Sequence, residues 1–166
     1  RFCEIMDEVP EKDAPDAVDA GTLQGDIELR DVSYAYGEDK NVLRHVNLKI
    51  PRGAKFALVG PSGGGKTTIC HLIPHFYDVV SGQILLDGME IHHLTNESVR
   101  RNIGIVQQDI FLFNDSVREN IRYGRLDATD EETVTAAKQA NIHDYIMTLP
   151  DGYDTNIGER GVRLSG

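Results

Sequence analysis

The run Gly60-Pro61-Ser62-Gly63-Gly64-Gly65-Lys66-Thr67 constrains this chain more than any other stretch, because two glycines frame four residues ahead of a lysine and a hydroxyl. That is the pattern of a phosphate-binding loop. The apolar run Phe56-Ala57-Leu58-Val59 precedes it and Thr68-Ile69-Cys70-His71-Leu72-Ile73 follows it, so strand, glycine turn and helix come in the order such a loop needs. The glycines let backbone N–H groups turn inward on a phosphate without a Cβ in the way. Lys66 is placed to reach the outer phosphates as a point charge, and the Thr67 hydroxyl to ligate Mg²⁺.

The 166 residues suffice for a domain that buries roughly two-thirds of its unfolded surface without disulfides. Cys3 and Cys70 fit no zinc spacing, and the apolar side of the helix after the loop is the expected place of Cys70, which points to a reducing compartment. The net charge of -10, concentrated between Asp7 and Asp19, argues against a nucleic-acid partner. No apolar run approaches the length that crosses a bilayer.

Phe2, Ile5, Met6 and Val9 recur at near-helical spacing before Pro10, Pro15 and a cluster of acidic side chains, which reads as a helix end running into a solvated linker. From Asp26 the pattern becomes alternation: Ile27, Leu29, Val32, Tyr34 and Tyr36, then Val42-Leu43, Val46, Leu48 and Ile50, an antiparallel strand pair joined by a polar turn. Tyr36 ends its strand beside that turn, where its ring could stack on a base. Phe56 to Val59 lacks alternation and is expected as a strand buried on both faces.

Beyond the loop, the helix is expected to stop near Pro74. Ser81-Gly82 is read as a turn into the strand Gln83-Ile84-Leu85-Leu86, closed by Asp87-Gly88. Adjacent His92 and His93 cannot both face one metal from a regular helix, and no other His or Cys stands at ligand spacing, so no metal site is expected there. Asn96 to Arg101 is expected to be helical and Ile103 to Val106 a short buried strand. Ile110-Phe111-Leu112-Phe113 is either core or a protein-binding surface. Ser116 to Glu119 and Thr129 to Glu132 are capping boxes, each opening a helix, the first ended by Gly124 and the second running through Ala140.

Taken together, these residues resemble the nucleotide-binding domain of an ATP-binding-cassette (ABC) transporter of the exporter type, over nearly the whole chain. Gly60 to Thr68 is similar to that family's Walker A loop. Tyr36 falls where an aromatic ring stacks on adenine, and Gln108 where the Q-loop glutamine approaches Mg²⁺ and the attacking water. Thr155 to Gly161 resembles the exporter X-loop, Leu164-Ser165-Gly166 the first half of the signature sequence, and Arg1 to Glu8 the extension of the last transmembrane helix.

The resemblance implies an α/β P-loop NTPase core with an antiparallel β subdomain and a helical subdomain, incomplete at the C-terminus. It implies a linker over residues 1–25, the β subdomain and P-loop core over about 26–106, and the Q-loop and helical subdomain over about 107–166. ATP and Mg²⁺ would be bound by Tyr36, Gly60, Pro61, Ser62, Gly63, Gly64, Gly65, Lys66, Thr67 and Thr68, with Lys66 and Gln108 catalytic and Thr67 and Gln108 on the metal. Ser165 and Gly166 would serve the nucleotide of a second such domain, identical or not, and Phe111, Phe113, Glu159 and Arg160 would meet membrane-domain coupling helices at the cytoplasmic face. The Walker B strand, catalytic Glu and switch His have no counterpart here, so this chain by itself is expected to be nearly inactive. The rival readings are a soluble ABC-type ATPase and a P-loop kinase or GTPase.

Overall fold

A computed structural model describes residues 11–37, 41–107 and 111–158. Two compact units divide the chain, Arg1–Ile105 and Val106–Gly166. Arg1 to Glu8, Gln108, Glu159, Arg160, Ser165 and Gly166 lie outside the described residues.

In the first unit the alternating segments form β1 (Ile27–Ala35) and β2 (Asn41–Ile50), antiparallel as the pattern requires. β3 (Ser81–Leu86) pairs with the other edge of β1 and turns through Asp87-Gly88 into β4 (Met89–Glu90), giving the order β2-β1-β3-β4. Leu29 stands opposite both Leu48 and Ile84, so one face of the sheet carries a continuous apolar row. The alternation is not unbroken, however. Its phase changes between Leu29 and Val32, where β1 bulges and Asp31 takes φ 52. The extra residue returns Val32 and Tyr34 to the buried face. Polar contacts hold the bulge: the Asp31 N–H donates to Asn47 Oδ1 at 3.0 Å, and the His45 ring lies 2.9 Å from the Asp31 carboxylate.

The helix after the glycine loop, α1 (Lys66–Leu72), sends Ile69 and Leu72 into the same core as Leu29, Val32, Ile84, Ile91, Leu94 and Val99. Cys70 is exposed, not on the apolar side as expected. It follows Ile69 by one residue, and one residue turns the helix by about 100°, off the buried stripe. Gly82 and Ser81 belong to β3 instead of a turn before it.

Neither Phe56 to Val59 nor Ile103 to Val106 forms the expected buried strand. Val59 and Val106 are 89% and 96% exposed, and Phe56 is half-exposed. A strand exists only through a neighbour for its N–H and C=O groups, and among the described residues neither segment pairs with one.

The described part of the acidic N-terminal segment packs along the first unit. Val18 bridges to Leu94, and the Ala20 N–H donates to the buried Ser98 Oγ at 2.9 Å. Arg100 and Arg101 of α2 (Asn96–Arg101) bind Glu11 at 2.8 Å and Asp19 at 3.0 Å. The Arg100 guanidinium holds the Glu11 carboxyl below the ordinary range. Asp87 fastens the end of the segment, its carboxylate accepting from the N–H groups of Gln24, Gly25 and Asp26.

The second unit is helical: α3 (Val117–Arg122), α4 (Asp130–Gln139) and α5 (His143–Thr148), around Val117, Ala137, Ile146, Tyr153 and Ile157. The box on α4 is complete, with Thr129 and Glu132 each accepting the other's N–H. That on α3 is half formed: Ser116 Oγ accepts from the Glu119 N–H, but the Glu119 carboxylate turns to Arg122 and the Ser116 N–H donates to Asp115.

The Thr129 N–H, and after it Arg125, hold the Glu132 carboxyl below its ordinary 4.5. A carboxylate depressed on folding stabilises the fold fully above the unfolded value and loses that contribution as pH falls through the lowered one. Helical signal should therefore fall as pH drops below about 4.5, with a smaller acid-side change in Glu132→Gln. A circular-dichroism titration of the two proteins that superimposes would remove Glu132 as a contributor.

Candidate nucleotide site

The loop from Gly60 to Lys66 turns on glycines at positive φ. Gly60, Gly63 and Gly65 take φ 155, 78 and 79, and the Gly64 N–H donates to Pro61 O at 3.2 Å, closing a turn. A Cβ on Gly63 would meet nothing within 4 Å, whereas one on Gly65 would stand 2.5 Å from the Leu43 side chain. Gly63 therefore keeps the mouth of the loop open, and Gly65 lets the loop close down on β2. Lys66 curls back over the turn: its Nζ donates to Gly60 O at 2.9 Å and Pro61 O at 2.7 Å. An ammonium has a third N–H, so the same group that fixes the loop can bind an anion above it.

The loop opens on a concavity of about 540 Å³, lined by Tyr36, Val42 and the residues from Ser62 to Thr68. That volume lies within the usual range for small-molecule sites. Thr67 is exposed at the mouth, while Thr68 is buried beneath it with its Oγ1 3.3 Å from the Tyr36 hydroxyl. Tyr36 is 43% exposed, presenting ring surface to the concavity while its hydroxyl is tethered.

The structure thus brings Tyr36, Ser62, Gly63, Gly64, Gly65, Lys66, Thr67 and Thr68 to one cavity. Gly60 and Pro61 act from behind, through their carbonyls. Sequence reasoning missed what supports Tyr36. Its ring meets Tyr34 at 4.9 Å and Tyr77 at 5.6 Å, both edge-on, so three tyrosines brace one another. Burial pushes the Tyr34 hydroxyl above its ordinary pKa. The alternation that places Tyr34 inward was the available signal for one partner; nothing local marks Tyr77. Among the described residues no carboxylate lines the concavity.

In the second unit Phe111 is 68% exposed and Phe113 37%, which decides for surface over core at this pair. Their rings meet at 5.0 Å, and Phe113 also meets Tyr123 at 4.3 Å, a small exposed aromatic cluster. Among the described residues no helix is long and apolar enough to cross a membrane.

Comparison with known proteins gives a consistent picture. Residues 43–166 match the family described as "ABC transporter". The chain is 52% identical over 155 residues to the "Putative multidrug export ATP-binding/permease protein YgaD" of Bacillus subtilis (strain 168), covering 93% of this chain and 27% of that protein. A protein of the same description from Staphylococcus aureus (strain NCTC 8325 / PS 47) is 56% identical over 144 residues, or 86% of this chain and 25% of that one. Among solved structures, that of a bacterial Atm1-family ABC exporter with ATP bound superimposes with a TM-score of 0.91 at 42% identity, over 99% of this chain and 29% of the other. The likeness gives the ABC ATPase fold, that of the P-loop NTPases. The chain spans under a third of the length of each of these proteins.

Proposed function

Since this chain belongs to the ABC transporter family, we propose that it works as the ATP-binding and ATP-hydrolysing motor domain of an exporter, coupling ATP-driven dimerisation to transport. The observation that carries the proposal is the opening of the glycine loop, Lys66 and Tyr36 onto one concavity. Triphosphate and base ends of a nucleotide are thereby matched by a cationic loop at one end and an aromatic ring at the other. The exporter reading over that of a soluble ATPase is supported by relatives named as ATP-binding/permease proteins.

In this reading the loop N–H groups and Lys66 hold the phosphates, Thr67 and Gln108 complete the Mg²⁺ shell, and Tyr36 stacks on adenine. Binding is chiefly positioning and charge neutralisation. Ser165 and Gly166 serve the nucleotide of a second, facing domain. The carboxylate that polarises the attacking water belongs to another part of the assembled ATPase, a reading supported by the lack of any acidic side chain along the described lining. Residues 1–25 act as the linker from a membrane domain at its cytoplasmic face. The aromatic pair Phe111 and Phe113, with Glu159 and Arg160, meets that domain's coupling helices, a role supported by the exposure of both rings.

Tyr36 supplies the test. Tyr36→Ala should weaken Mg-ATP binding by about 1–3 kcal/mol, and Tyr36→Trp should keep affinity because it keeps a π-face. Calorimetric titration checks both, and equal affinity in Tyr36→Ala would take the ring out of the site.

A further inference from the structure

Away from the nucleotide concavity, the fold brings His92 to His75 and Asp78, which stand three residues apart in the sequence. His75 lies just past α1 with φ 56, its N–H donating to Leu72 O at 3.0 Å and its carbonyl accepting from Arg100 Nη2 at 2.6 Å. His92 lies on the 3-10 turn Ile91–His93 that follows β4. Both elements are anchored in the core through Leu72 and Ile91, so the two imidazoles face each other from firm backbone.

His75 Nε2 is 2.9 Å from Asp78 Oδ1, and His92 Nδ1 is 3.6 Å from the same oxygen. The rings are nearly perpendicular, at 84°, with centroids 5.0 Å apart. All three potential ligand atoms lie within 4.8 Å of one another. Bonds of 2.0–2.1 Å in a tetrahedral zinc shell put ligand atoms about 3.3 Å apart, so small movements bring this trio to that geometry. Both contacts to Asp78 are already close to that spacing, so the movement falls on the His92 ring, whose side chain is 38% exposed, while that of His75 is only 13% exposed.

Hydrogen bonding alone leaves this arrangement unbalanced. His75 Nδ1 is buried with no hydrogen-bond partner, a cost on either tautomer that a single contact to an exposed carboxylate offsets poorly. A metal bond at Nε2 would leave Nδ1 unpartnered, but it supplies a stronger interaction at the other nitrogen than the contact to Asp78 does. Beside the trio is an open space of about 220 Å³, reached by Lys12, Asp13 and Asn96, with room for water to complete a shell. Two imidazoles and one carboxylate suit zinc and its neighbours; Mg²⁺ and Ca²⁺ prefer all-oxygen sets.

We propose that His75, Asp78 and His92 form a binding site for a divalent transition metal of the zinc class, clipping the segment after α1 to the turn after β4. None of its three residues lines the nucleotide concavity. His93 is outside it, its nitrogens turned to Asp16 at 3.2 Å and Glu90 at 3.6 Å.

The test uses the intact, untagged protein that carries this chain, stripped with chelator and titrated with Co²⁺ as a visible-absorption probe. A saturable ligand-field band of one equivalent is expected, displaced by Zn²⁺ and untouched by excess Mg²⁺. His92→Ala and Asp78→Asn, both at accessible side chains, should each lower the affinity of the Co²⁺ band at least about tenfold, while His93→Ala leaves it unchanged. His75→Ala should behave as His92→Ala if it folds. Absence of a saturable band, or a band with the same affinity in His92→Ala and Asp78→Asn, overturns the site, as does a loss confined to His93→Ala.

Discussion

Lys66→Ala is expected to weaken Mg-ATP binding by at least about 1.5 kcal/mol, roughly tenfold, the lower end for a hydrogen bond to a charged group. Two losses combine in that number. One is the direct contact from the third N–H of the ammonium to phosphate, and the other is the shape of the loop, because Nζ ties Gly60 O and Pro61 O together from above. Lys66→Arg separates them. It keeps the charge but replaces a compact ammonium by a planar fork that cannot sit over two adjacent carbonyls in the same way. If charge alone matters, Lys66→Arg recovers most of the affinity; if the cradle matters, it does not. A calorimetric Kd for Mg-ATP unchanged in Lys66→Ala, in protein whose melting is also unchanged, would refute the phosphate-loop assignment.

What the sequence discloses and what it hides follow from the range over which each interaction acts. The glycine loop, the β1–β2 pair, the Asn96–Arg101 helix and the Thr129 box depend on residues within a few positions, and their patterns are legible one segment at a time. Burial of Phe56 to Val59 depends on which strands lie beside it, and apolar composition cannot supply a neighbour. Cys70 shows the limit of reading a helix face from one apolar residue, since the stripe here runs through Thr68, Ile69 and Leu72. The bracing of Tyr36 by Tyr77 and the meeting of His75 with His92 are tertiary events between segments well separated in the sequence. The adjacent pair His92 and His93 invited a local reading, yet the two rings turn to different carboxylates, Asp78 and Asp16. Asp87, legible as a turn residue, also organises three backbone N–H groups of the incoming segment. Short polar side chains do this often, and which backbone they reach is fixed only once the chain has folded.

The largest stability loss is expected at a glycine outside the phosphate loop. Gly82 takes φ 90 within β3, and a Cβ there would stand 2.4 Å from Asp31 O and 2.5 Å from Arg30 O. Both obstacles are backbone, and both belong to the β1 bulge, where the register with β3 slips between Arg30 and Ser33. The glycine is therefore the complement of the bulge: β3 can lie close to the displaced carbonyls only without a side chain. Gly82→Ala meets left-handed strain of about 1–2 kcal/mol and overpacking of about 1–3 kcal/mol, and neither relaxes without parting β1 from β3. A loss of about 2–5 kcal/mol follows, a large share of the stability of a domain this size. Gly63→Ala is the control, because its φ of 78 carries similar strain but its Cβ would enter open space. It should cost only that strain, about 1–2 kcal/mol, and act mainly on nucleotide affinity. Urea unfolding of the two variants beside the parent decides the matter: equal midpoints for Gly82→Ala and Gly63→Ala would mean that β1 and β3 do not approach this closely, and that the bulge is not what fixes residue 82 as glycine.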